Sequence, residues 1–82
     1  MQTYEEILER IRSTLVELFA LPPQAVQPNA RLFDDLQIDS IDVVDLMEHV
    51  RRYTGKKVSA EDFRSVRTVD DLVGVMQRLL TN

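Results

Sequence analysis

The stretch Asp35-Leu36-Gln37-Ile38-Asp39-Ser40-Ile41-Asp42-Val43-Val44-Asp45-Leu46 carries the chain from a loop into a helix. Wound at about 100° per residue, Val43, Leu46, Met47 and Val50 gather on one face, the expected core stripe. Asp39, Asp42, Asp45 and Glu48 recur at every third residue and wind slowly around the opposite side. Ile41 and Val44 fall off the core stripe, beside Glu48 and Asp45. Two branched apolar residues on an acidic surface have the make-up of a docking face: the acids steer a basic partner and the apolar pair supplies contact area. A solvated helix with two incidental apolar residues fits the same geometry. Ser40 stands in the first turn, where free N–H groups and the helix dipole favour a phosphate. Taken singly, helix capping by Asp39 or Ser40 explains that position equally well.

Outward from this segment, helical signals continue in both directions. The central helix runs to about Tyr53, before Gly55. Upstream, Tyr4, Ile7, Leu8, Ile11, Leu15, Leu18 and Phe19 form a stripe that predicts a helix over 4–20. Thr3 and Glu6 have capping-box spacing at its start, and Leu21-Pro22-Pro23 stops it, because proline lacks an N–H and restricts its predecessor. Residues 21–39 form a long connection, of a length that is often functional. Val26, Leu32, Phe33, Leu36 and Ile38 are expected to pin it to the bundle, with room for a short helical turn. Downstream, Ser59 and Asp62 cap a short helix over 59–64, and Thr68 and Asp71 cap a last one over 68–80. The last helix has the stripe Val69, Leu72, Val73, Met76, Leu79 and Leu80, interrupted by Gly74. No strand pattern or internal repeat is visible. The expected fold is all-α: a small four-helix bundle of three longer helices and a short third one.

Size and composition narrow the possibilities. The 82 residues suffice for a single domain spanning 1–82. An apolar fraction of 44% supports a folded core over disorder. There is no cysteine, which excludes disulfides and thiolate metal sites. No run of about 20 apolar residues is present to span a membrane, and residues 1–6 lack a signal-peptide pattern. A cytoplasmic location and no membrane insertion are expected. Residues 1–50 carry a net charge of −7 and residues 51–82 of +3. The acidic half repels nucleic acid and favours basic protein partners.

The segment 35–46 resembles the attachment motif of acyl carrier proteins, Asp-Leu-Gly-x-Asp-Ser-Leu followed by an acidic amphipathic helix. The resemblance extends over nearly the whole chain: first helix, long loop, motif at a helix start, short third helix and fourth helix. It implies that Ser40 receives 4′-phosphopantetheine from coenzyme A through a phosphodiester, and that the thiol of that arm carries acyl groups. Asp39 then matches the aspartate that helps the phosphopantetheinyl transferase hold its magnesium. Asp42, Asp45 and Glu48 match acids that meet basic patches on partner enzymes, and Ile41 and Val44 match apolar positions that partners touch. The implied protein is a phosphoprotein and no enzyme, and it serves fatty acid, polyketide or related lipid biosynthesis. Its implied partners are the transferase (holo-acyl-carrier synthase) and acyl-transferring and condensing enzymes, and monomers are usual at this size. The missing cysteine agrees, since the thiol comes with the cofactor. The bundle interior is a candidate seat for the acyl chain.

Two features depart from the family pattern. Gln37 replaces the usual glycine, and Arg51, Arg52, Lys56, Lys57, Arg64 and Arg67 make the region 51–67 basic. The basic region fits either a solvated surface or a specialised carrier whose partner presents acids or anionic lipid. His49 is read as a helix-surface histidine and not as a general base, and Tyr53 as an aromatic at the bundle edge. Asp34, Asp35, Asp39 and Asp42 lack the spacing and glycine of a calcium loop. A peptidyl or aminoacyl carrier is the nearest alternative, disfavoured by Asp39 where that family usually has histidine. An unmodified helical interaction module is the other, supported only by Gln37.

Overall fold

A computed structural model describes residues 3–81. Four α-helices occur in order: α1 (Tyr4–Phe19), α2 (Ser40–Thr54), α3 (Ala60–Phe63) and α4 (Val69–Thr81), with a 3₁₀ turn at Pro23–Ala25 inside the first connection. The four-helix, all-α expectation is met, and no strand is present among the described residues.

The ends of the helices follow local chemistry. The Thr3 hydroxyl accepts the Glu6 N–H, while Glu6 Oε1 accepts the Thr3 N–H at 2.9 Å. This reciprocal pairing satisfies two donors that the first turn of a helix cannot pair internally. Asp39 and Asp42 repeat it for α2, and Thr68 and Asp71 for α4. At Ser59 the backbone N–H donates to Asp62 Oδ2 at 2.9 Å. α1 ends on Ala20, which turns left-handed with φ 54° before the prolines are reached. α2 ends on Gly55 at φ 70°, a conformation that glycine adopts without steric cost.

α4 is the central post: it packs against α1, α2 and α3. Val69, Leu72, Val73, Val75, Met76 and Leu79 are all buried on it. Ile7, Leu8, Ile11 and Leu15 of α1 and Leu46 and Val50 of α2 close the core. Six stripe residues are only half-buried: Tyr4, Phe19, Val43 and Leu80 still pack against the core, and Leu18 and Met47 lie at the edges of their faces.

The long connection is held by both side chains and backbone. Val26, Ala30, Leu32, Leu36 and Ile38 enter the core. Phe33 does not: it is 44% exposed, contrary to the expectation that it pins the loop. Its neighbour Leu32 takes the inward position, and residues 33–35 are all exposed before Leu36 turns in again. The Leu32 N–H donates to the Arg67 carbonyl at 2.9 Å, and the Val69 and Asp70 N–H groups donate to the Ala30 and Pro28 carbonyls. The Arg12 guanidinium donates to the Val26 carbonyl at 3.0 Å. The loop is thus sewn onto the start of α4, and the start of α2 is placed by that anchorage.

Candidate functional site: the start of α2

Three features fix the position of Ser40. First, the Ile38 N–H donates to the Leu32 carbonyl at 2.9 Å and buries Ile38, so the chain enters α2 from a rigid turn. Second, Gln37 makes the bend before it in the left-handed region, at φ 57°. This is the position where the attachment motif has glycine, so the turn keeps the glycine conformation with a glutamine in it. Third, Asp39 caps the helix. One of its oxygens accepts the Ile41 N–H at 3.0 Å and the Asp42 N–H at 2.9 Å. Asp42 accepts the Asp39 N–H at 3.2 Å in return.

Ser40 is therefore the first residue of α2, exposed, and its hydroxyl has no hydrogen-bond partner among the described residues. The capping role that sequence left open between Asp39 and Ser40 belongs to Asp39. The N–H groups that would cradle a phosphate are partly spent on Asp39. What favours the phosphate is the residual dipole of a 15-residue helix and free access to water. A phosphodiester to a flexible arm needs only that: a reachable hydroxyl at a rigid point, with space around it. The residues present fit the group.

Upstream, Arg31 pairs with Asp34 and with Asp35, the first residue of the motif. Its guanidinium donates to Asp35 Oδ1 at 3.1 Å and lies 3.6 Å from Asp34 Oδ2. That hydrogen bond, with the Arg31 backbone N–H, holds the Asp35 carboxyl below the usual carboxylate range.

The acids of α2 are not equivalent. Asp42 is half-buried and engaged in the cap. Asp45 is exposed and has no ion-pair or hydrogen-bond partner among the described residues. Glu48 is gripped by Arg51 at 2.5 Å, with Arg52 at 3.7 Å. The Arg51 hydrogen bond pulls the Glu48 carboxyl down from its ordinary pKa, aided by the charge of Arg52. The i,i+3 and i,i+4 spacing of these arginines is a signal present in the sequence. Ile41 and Val44 are exposed by 76% and 64%. With Phe33, they are the exposed large apolar side chains among the described residues.

His49 and Tyr53 lie to one side of this face. With Arg10, Ile11, Val50 and Met76 they line a crevice between α1 and α2. The Arg10 guanidinium covers the Tyr53 ring at 4.6 Å, a cation–π contact that closes its rim. The crevice has about 20 Å³ of room, enough for one water-sized body.

Comparison with known proteins agrees with this geometry. The phosphopantetheine attachment site family matches residues 9–76. The chain is 51% identical to acyl carrier protein 2 of Ralstonia nicotianae, covering 95% of this chain and 96% of that one. It is 34% identical to the acyl carrier protein of Thermotoga maritima, over 98% and 99% of the two chains. It is also 34% identical to the meromycolate extension acyl carrier protein of Mycobacterium bovis, over 94% of this chain and 67% of the other. A helical bundle with an exposed serine at a capped helix start is compatible with a carrier of a tethered group. The chain belongs to the acyl carrier proteins of the phosphopantetheine attachment family, whose cofactor is 4′-phosphopantetheine.

Proposed function

We propose that Ser40 is the attachment residue and that the chain, as a single carrier domain over 1–82, presents acyl thioesters to enzymes of fatty acid, polyketide or related lipid biosynthesis. The observation that carries this reading is the exposed, unpartnered Ser40 hydroxyl, one residue after the Asp39 cap. In loading, the serine oxygen bonds to the pantetheine-bearing phosphorus of coenzyme A. The bond from that phosphorus to the nucleotide half breaks, and the hydroxyl proton goes to the transferase's base. Asp39 spends one oxygen on two N–H groups, which leaves its other oxygen for the transferase's magnesium. Ile41 and Val44, with Asp42, Asp45 and Glu48, form the face that the transferase and the acyl-transferring and condensing enzymes read.

The arm serves by effective concentration. One tethered intermediate meets each enzyme's active site without diffusing away between steps. The carrier acts as a monomer in the cytoplasm. Among the described residues no helix is long and apolar enough to cross a membrane, which is compatible with that placement.

Intact mass before and after incubation with coenzyme A and a broad-specificity phosphopantetheinyl transferase tests the reading. The wild type should gain one phosphopantetheine, and Ser40→Ala should gain none while keeping its helical circular dichroism. No gain in the wild type with several transferases leaves the unmodified interaction module, the reading that Gln37 favours.

A further inference from the structure

The outer face of α2 is polar along its length. Next to Ser40 it offers Ile41 and Val44, then the unpaired Asp45. Glu48 follows, with Arg51 and Arg52 on its carboxylate, so that three charges sum to a net positive cluster. Asp45 and Arg52 are seven residues apart, about 20° short of two full turns, so they stand in line roughly 10 Å apart along the axis. Ile41 lies within about 40° of both on the same face. Both Asp45 and Arg52 are exposed. The result is an apolar and negative end beside the serine and a positive end two turns away.

Beyond the base and the apolar contact that the family resemblance already implies for Asp45, Ile41 and Val44, we propose that the partner receiving the arm carries an acid about 10 Å farther on, opposite Arg52. This rests on Ser40 being the attachment residue. A uniformly basic docking patch would attract Asp45 but repel Arg51 and Arg52. An anionic membrane would attract the arginines but repel Asp39 and Asp45. A protein surface with both signs at this spacing satisfies both ends of the face. The pattern also fixes direction, because a partner docked the other way round meets like charges at both ends. A directional dock matters for a carrier: the arm leaves from one end of α2 and must point into the partner's tunnel.

The test uses the acyl-loaded carrier with purified condensing enzymes of the same organism that turn over the wild type. The variants are Asp45→Arg, Arg52→Asp and the swap of both, all at exposed positions, with circular dichroism to confirm the fold. Each single variant should lower kcat/KM by about fivefold or more at low salt, with the loss shrinking at high salt. The swap should lose at least as much, although its net charge equals that of the wild type. Arg52→Asp raising kcat/KM would overturn the proposal in favour of a uniformly basic partner. A swap that behaves as wild type would show that only total charge matters. Cosedimentation of the wild type with phosphatidylglycerol vesicles, lost in Arg52→Asp, would assign the positive end to a membrane. Failure of Ser40 to load is read separately by intact mass, before any docking is measured.

Discussion

Replacing Gln37 with glycine probes the joint on which the serine is mounted. Gln37 sits at φ 57°, where the Cβ of an L-residue crowds the following carbonyl at a cost of about 1–2 kcal/mol. Glycine removes that cost but gives back about 0.5–1 kcal/mol through its greater freedom in the unfolded chain. The side chain of Gln37 is exposed and makes no hydrogen bond among the described residues, so little else is lost. The balance lies between about 0 and 1.5 kcal/mol, centred on a gain of about 0.75 kcal/mol or a rise in Tm of about 3–6 °C for a domain of this size. Thermal and urea melts followed by far-ultraviolet circular dichroism measure it. Ala20 supplies an internal control, because it is also exposed and left-handed, at φ 54°. Ala20→Gly should gain a similar amount, and Gln37→Ala should change little, since it keeps the same crowded Cβ. If Ala20→Gly stabilises while Gln37→Gly does not, the reasoning fails at Gln37, and its side chain must be held by an interaction worth as much as the strain.

Two further outcomes are expected. Gly74 is exposed in mid-α4, and a Cβ built there meets nothing within 4 Å. Gly74→Ala should therefore stabilise the fold by about 1 kcal/mol, seen as a higher urea midpoint at unchanged m-value. Acid should unfold the protein through its caps and ion pairs. The Arg67 and Thr68 backbone N–H groups hold the Asp71 carboxyl below its ordinary pKa, and the Thr3 N–H does the same for Glu6. A carboxyl with a lowered folded-state pKa contributes stability that is present above its unfolded value, near 4, and is lost as pH falls through the folded value. Asp71→Asn should accordingly be less stable than wild type at neutral pH, with the gap closing below about pH 4 in urea melts. A gap that is constant with pH would show that the Asp71 charge plays no part.

The unequal acids of α2 bear on how the carrier is recognised. Glu48 reads in the sequence as one more member of an acidic series, yet its charge is answered by Arg51 and Arg52. Asp42 is committed to the cap. That leaves Asp45 as the α2 acid whose charge is unanswered among the described residues, next to the exposed Ile41 and Val44.

Much was legible in the sequence because it depends on neighbours within a turn. The apolar stripes of α1, α2 and α4, the capping pairs at Thr3, Ser59 and Thr68, and the stop at Gly55 are all local patterns, whereas the cap of α2 stayed open between Asp39 and Ser40. The serine motif was legible for the same reason. The long connection was not, because its partners are distant. Arg31 bridges to Thr68, and Leu32 pairs with Arg67, from the first connection to the residues just before α4. That pairing turned Leu32 inward and Phe33 outward, a choice that composition cannot make. The packing of α1 and α2 on α4 put His49 and Tyr53 at a crevice rim with Arg10, where a helix wheel shows only one helix at a time. The left-handed Gln37 belongs to the same class. Glutamine has no preference for that conformation, so only the anchored loop on one side and the Asp39 cap on the other impose it.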